Sequence, residues 1–280
     1  MIIVSLTIFF VMVFLGWLLP AFGDATFWDK TYTKSGDNEV VEWFGVDYLD
    51  VRHTIRRLMG TQRLRPILNI GSGNSSFPGD LHDAGYRNVV SIDVSTVVLQ
   101  QMAKRYSRKR ELRWLCMDAT NMAFDDEIFP LVIDKGTLDA IICTNNPEHW
   151  IKTYFKELYR VMEPDGTFML ITGYEPRDVM KYFSRHPWSV EHNEIDGRDG
   201  ATAHLYLASK VAEVCIHGGD DDSDGERSEE TQNLIDQGGM RMRARRGPKV
   251  NPDRAPGRVS EMQYEMQRME GRTRREYHGL

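Results

Sequence analysis

The feature that most constrains this chain is a short apolar run ending in two spaced glycines. Ile67 to Ile70 is followed by Gly71-Ser72-Gly73-Asn74-Ser75-Ser76. Such a run reads as a buried strand, and the Gly-x-Gly turn after it lets backbone approach a ligand closely before a helix begins. A second apolar run, Val89-Val90-Ser91-Ile92, closes on Asp93, 22 positions after Gly71. That spacing places an acid beside a ribose hydroxyl in a doubly wound α/β fold. The chain is therefore expected to form an α/β sheet, mostly parallel, with helices on both faces. Its ligand edge should lie at the carboxyl ends of the strands.

The loop chemistry narrows the ligand. A dinucleotide fingerprint asks for a third glycine at its sixth position, where this chain has Ser76, which disfavours NAD and FAD. S-adenosylmethionine carries no pyrophosphate and does not require that glycine. Leu112 to Met117 reads as a third strand, followed by Asp118 and Ala119, a carboxylate and a backbone N–H suited to an adenine edge. Leu131 to Asp134 reads as a fourth strand running into a loop, Lys135-Gly136-Thr137-Leu138-Asp139. Gly71, Gly73, Asp93, Asp118 and Ala119 are the expected cofactor contacts. Asp134 and Asp139 are expected to position the methyl acceptor or take its proton. Capping the following helix is the alternative role for each.

These stretches resemble a known family. Gly71 to Ser75, Ile92 to Ser95 with Val97-Val98, Met117-Asp118 and Asp134 to Ala140 are similar to the methyltransferase-like 13 family, which includes elongation factor 1-alpha lysine methyltransferases. Phe27 to Tyr32, Glu42-Trp43-Phe44 and Ala203 to Lys210 resemble its amino-terminal signature and last strand. Ser72 stands where the family usually has cysteine, a small-for-small change. The resemblance implies a Rossmann-like methyltransferase sheet and S-adenosylmethionine as cofactor. It adds Trp28, Tyr32, Trp43, Val94 and Lys135 as cofactor contacts, and implies methyl transfer to an accessible protein lysine. Two other readings stay open: a membrane-tethered methyltransferase for a small molecule or lipid, and a non-catalytic methyltransferase fold that binds a partner.

Composition sets the remaining bounds. The 280 residues carry a net charge of −6, which argues against a general nucleic-acid binder with its basic face. The three cysteines are odd in number and form no Cys-x-x-Cys, so neither a disulfide framework nor a metal site is expected. Residues 1–23 form an apolar segment, uncharged before Asp24. Positions 2–19 are just long enough to cross a bilayer, so an anchor with a cytoplasmic catalytic domain, a signal peptide and a start-site artefact all stay open. Otherwise the chain is expected to be cytoplasmic. Residues 24–216 are read as the catalytic domain. Residues 217–280, acidic and then basic with few large apolar groups, are read as a disordered tail.

Periodicity fills in the elements. Tyr48 to Met59 has a helical apolar stripe. A short or late helix is expected in Asn74 to Gly85 because of Pro78-Gly79, and Ser95 should cap a helix reaching about Arg108. The basic groups Lys104-Arg105 and Arg108-Lys109-Arg110 read as a solvated helix end, and His82 and His186 as surface residues. Trp150, Ile151, Tyr154, Phe155, Leu158 and Met162 read as a core-facing helix, Glu163 to Gly166 as a turn, and Thr167 to Thr172 as a fifth strand. Val179 to Phe183 reads as helix. Ser189 to His192 and Ala203 to Leu207 read as an antiparallel edge hairpin.

Overall fold

The computed structural model describes residues 24–198, 200, 202–211 and 243–244. The apolar segment 2–19 and, apart from 243–244, the tail expected at 217–280 lie outside the described residues. The chain opens with helix α1 (Ala25–Ser35), whose first turn is capped by Asp24 accepting from Thr26 N. A single turn at Trp43–Gly45 leads to α2 (Tyr48–Met59), which starts with a capping box between Asp47 and Asp50.

Strands and helices then alternate: β1 (Ile67–Ile70), α3 (Phe77–Asp83), β2 (Val89–Asp93), α4 (Thr96–Arg105), β3 (Leu112–Cys116) and β4 (Phe129–Lys135). After them come α5 (Thr137–Ile142), α6 (Pro147–Val161), β5 (Met162–Thr172), α7 (Pro176–Phe183), β6 (Trp188–Asp196) and β7 (Thr202–Lys210). Helix α3 starts late because Pro78 fits only its first turn, where a missing N–H costs nothing. Ser95 caps α4, its hydroxyl accepting from Val98 N, and the helix stops at Arg105, short of Arg108.

The sheet runs β3-β2-β1-β4-β5-β7-β6, parallel through β5 and antiparallel at β7. A two-residue strand, β8 (Arg243–Ala244), lies parallel to β6. The strand order reverses between β1 and β4, the position at which open α/β sheets leave a ligand crevice. Strand residues alternate between two apolar layers. Leu68, Ile70, Val132, Phe168 and Leu170 meet α6 and α7 through Tyr154, Phe155, Leu158 and Phe183. Ile67, Val89, Leu131, Ile133 and Met169 meet α2 and α3 through Val51, Ile55, Phe77 and Leu81.

Four expectations are corrected. Glu163 to Gly166 is not a turn between helix and strand. It is an outward bulge inside β5, since Phe129 pairs with Met162 and Leu131 already with Thr167. His82 is buried, held between Arg87 and Glu111. Arg105 is no solvated helix end: its guanidinium donates to the carbonyls of Asp37, Glu39 and Asn74, tying the segment after α1 and the Gly-x-Gly loop to α4. In the helix read from Trp150 onward, Trp150 does not face the core, being 41% exposed, and Met162 is the first residue of β5.

Candidate active site

A cavity of about 320 Å³ opens at the carboxyl edge of β1 to β4. Its wall combines Gly71 after β1, Asp93 and Val94 after β2, Met117 to Thr120 after β3, and Lys135 to Thr137 after β4. Trp28, Tyr32 and Trp43 cover it from the amino-terminal segment. That segment is both a packing strap and a lid. Trp28 and Tyr32 stack on one another at 5.8 Å and join Val98, Leu99 and Met102 of α4 in a separate apolar cluster. Asp29 fixes the strap by accepting from Ser95 Oγ and Val97 N, and Gln101 donates to Tyr32 O.

Asp93 is the most organised group in the wall. Its Oδ2 accepts from Gly73 N at 2.9 Å and its Oδ1 from Ser95 N at 2.9 Å. Burial pushes its carboxyl up to about 6, despite these stabilising donors. Each oxygen keeps further lone-pair capacity. Gly71 has φ +56°, and a side chain there would overlap Thr137 Oγ1, which itself donates to Ile70 O. The turn therefore needs glycine on both conformational and steric grounds. Asp118 is exposed and accepts from Thr120 N and Thr120 Oγ1, a local turn that leaves Ala119 buried beside it.

Lys135 and Glu42 form a buried ion pair beneath the Gly-x-Gly loop. Lys135 Nζ also donates to Val46 O at 3.0 Å and Ser75 Oγ at 3.2 Å. Glu42 accepts in addition from Ser75 Oγ and Ser76 N, both at 2.7 Å. Burial raises the Glu42 carboxyl, but Lys135 and these donors bring it net below the ordinary carboxylate range. The pair fastens the strap to both the cofactor loop and the end of β4.

The expected loop between Asp134 and Asp139 is absent. Strand β4 runs through Lys135, a single left-handed residue, Gly136 at φ +88°, turns the chain, and α5 begins at Thr137. Only glycine takes that conformation without strain. Asp134 is fully buried and accepts from Thr137 N, Leu138 N and Tyr154 Oη at 2.7, 3.0 and 2.6 Å. It thus caps α5, and burial pushes its carboxyl up to about 6. Asp139 is also fully buried; its Oδ1 accepts from Thr172 Oγ1 and Gly173 N, joining α5 to the end of β5.

The structure therefore gathers Trp28, Tyr32, Trp43, Gly71, Asp93, Val94, Asp118, Ala119 and Lys135 around one cavity. Gly73 stands just behind the wall, holding Asp93, while Asp134 and Asp139 lie outside the lining and brace α5. Sequence reasoning did not single out Thr137, Ile141, Thr144, Asn145 or the cavity-lining position of Trp150. It also gave Glu42 no partner. A lysine at the end of an apolar strand needs an acid beside it, which is the signal that would have raised the question.

A model of the methyltransferase domain matches residues 68–170. EEF1A lysine methyltransferase 4 of Bos taurus is 30% identical over 206 residues, covering 69% of this chain and 78% of that protein. The eEF1A lysine and N-terminal methyltransferase of Mus musculus is 33% identical over 181 residues, covering 62% of this chain and 25% of that protein. The chain thus spans about a quarter of the length of these larger curated relatives. Among solved structures, a Methanococcus maripaludis protein assigned to the S-adenosyl-L-methionine-dependent methyltransferases has a TM-score of 0.51 at 15% identity, covering 67% of this chain and 96% of that one. That likeness is one of fold. With relatives of this identity and coverage, the chain belongs to the methyltransferase-like 13 family of S-adenosylmethionine-dependent methyltransferases.

Proposed function

We propose that this protein transfers methyl groups from S-adenosylmethionine to the side chain of a protein lysine, with an elongation factor 1-alpha as the first substrate to try. The observation that carries the cofactor half is Asp93. Its two oxygens are pinned by Gly73 N and Ser95 N while the carboxylate still faces the cavity, which leaves acceptor capacity for two neighbouring hydroxyls. The acceptor half is supported by relatives named for lysine methylation of eEF1A.

The residues present fit the cofactor. Asp93 would take the ribose hydroxyls, and Asp118 with the Ala119 backbone the adenine edge. Trp28, Tyr32 and Trp43 would cover it, and the faces of such rings attract a sulfonium by roughly 0.5–2 kcal/mol. The lining carries Asp24, Asp93 and Asp118 against Lys135, whose charge is already met by Glu42, so the field favours a cationic ligand. S-adenosylmethionine held there would supply an electrophilic methyl for the lone pair of a deprotonated amine, with the C–S electron pair remaining on sulfur and the displaced proton passing out to solvent. The protein's part is alignment and exclusion of water. Asp134 and Asp139 serve it by holding α5, and with it Thr137 to Ile141, rigidly against the cavity.

Incubating the full chain with methyl-labelled S-adenosylmethionine and recombinant elongation factor 1-alpha, then mapping the label by peptide mass spectrometry, tests the reading. Label on a lysine supports it. Bound cofactor with no label on protein would overturn the acceptor half and leave the cofactor half standing.

A further inference from the structure

Part of the cavity takes no role in holding the cofactor as read above. Beyond the ends of β1 to β3 its wall consists of Ala140, Ile141, Thr144, Asn145 and Trp150, from α5 and the turn into α6. Trp43, which also covers the cofactor, comes against the turn that precedes α5, since a Cβ on Gly136 would lie 3.5 Å from its Cγ. Trp150 sits in the first turns of α6, edge-on to His149 at 4.9 Å between ring centres. It is exposed, whereas Ile151, Tyr154, Phe155 and Leu158 of the same helix are fully buried. The exposed ring also lines the cavity, so its face is available to a ligand there.

We propose that Trp150 and Trp43 form the two walls of an acceptor channel that grips a lysine by its apolar four-carbon stem. Thr144 and Asn145 stand at the rim, where the substrate's main chain would pass. The inference rests on the protein-lysine reading and adds a selectivity: a side-chain amine over an amino-terminal one. A lysine stem is apolar along its length and carries its charge at the tip, so it suits a wall of rings and methyl groups. A terminal α-amine carries a carbonyl and a side chain on the very carbon that bears its nitrogen. A carbon branched in this way is wider than the straight stem that a slot between two ring faces accepts, and Ala140 and Ile141 offer it no polar side chain. The acidic lining draws the ammonium in before it loses its proton.

The test uses the full chain, labelled S-adenosylmethionine and recombinant elongation factor 1-alpha as the probe. Steady-state kinetics are compared for wild type, Trp150→Ala and Trp150→Phe, with S-adenosylhomocysteine affinity measured on each by calorimetry. Trp150→Ala should raise KM for the protein about tenfold, the scale of a lost aromatic wall and cation contact, and leave S-adenosylhomocysteine affinity within about threefold. Trp150→Phe should recover most of the loss, because it restores a ring face, and the label should sit on lysine Nζ. A wild-type KM in Trp150→Ala overturns the proposal. So does a comparable loss of S-adenosylhomocysteine affinity, or label confined to the terminal amine. A wild-type protein that transfers nothing to protein overturns the protein-lysine reading itself, and this proposal with it.

Discussion

Replacing Asp93 by alanine gives the sharpest account of how this sheet edge holds its cofactor. The carboxylate is almost wholly buried, and each oxygen already accepts one backbone N–H at 2.9 Å. Its remaining lone pairs face the cavity, so Asp93→Ala removes charge-assisted acceptors for the ribose hydroxyls, worth roughly 1.5–3 kcal/mol. At about 1.4 kcal/mol per factor of ten, S-adenosylhomocysteine affinity should fall roughly ten- to 150-fold. Asp93→Asn should be nearly as weak as alanine. An amide nitrogen in place of either oxygen must oppose the Gly73 or Ser95 N–H, so the side chain cannot keep both its anchors and its ligand. Calorimetry at neutral pH measures the affinities, with thermal melts to show that each variant folds. A folded Asp93→Ala that binds within about twofold of wild type would refute the assignment of the β2 end as the ribose site.

Other expectations follow from the same geometry. Glu42→Gln or Lys135→Met alone leaves one buried charge uncompensated and should cost about 3–5 kcal/mol. The double variant should lose less than the sum of the two in a denaturation cycle. Asp139→Asn removes a carboxylate from Thr172 Oγ1 and Gly173 N, so stability should drop by about 1–3 kcal/mol. Urea denaturation reads this, and S-adenosylhomocysteine affinity should stay within about threefold. Asp93 titrates near 6 in the folded chain because it is buried, well above its unfolded value. Its share of stability is therefore full at low pH and lost as pH rises through about 6. The stability of Asp93→Asn relative to wild type should accordingly improve as pH rises through that range, and a flat difference across it would contradict the shift.

The sheet was legible because its strands announce themselves. Ile67 to Ile70 and Val89 to Asp93 are apolar runs buried on both faces, closed by the glycine or acid that the ligand edge uses. Local chemistry of this kind also places Gly71, Asp93 and Asp118. The chain hid what depends on distant partners. Lys135 meets Glu42 across 93 positions, and nothing near either residue records it. Trp150 sits next to Ile151 in the apolar count, yet it lies in the first turn of α6 and lines the cavity instead of the core. Asp134 and Asp139 look like site residues because their spacing flanks the Gly136 turn. In the structure both carboxylates are taken up by helix α5 and the end of β5. Two buried acids can mark a fold's bracing as readily as its chemistry.

The central claim is that methyl groups leave S-adenosylmethionine for protein lysine at this cavity. Its most direct test is to add the full chain and tritium-labelled S-adenosylmethionine to a cell lysate, separate protein from the lipid extract, and hydrolyse the protein for amino-acid analysis. The account predicts label in protein, recovered as methylated lysine, and roughly ten- to 150-fold less with Asp93→Ala at a cofactor concentration well below the dissociation constant. Label in the lipid extract, or in no macromolecule while S-adenosylhomocysteine still binds, would contradict it.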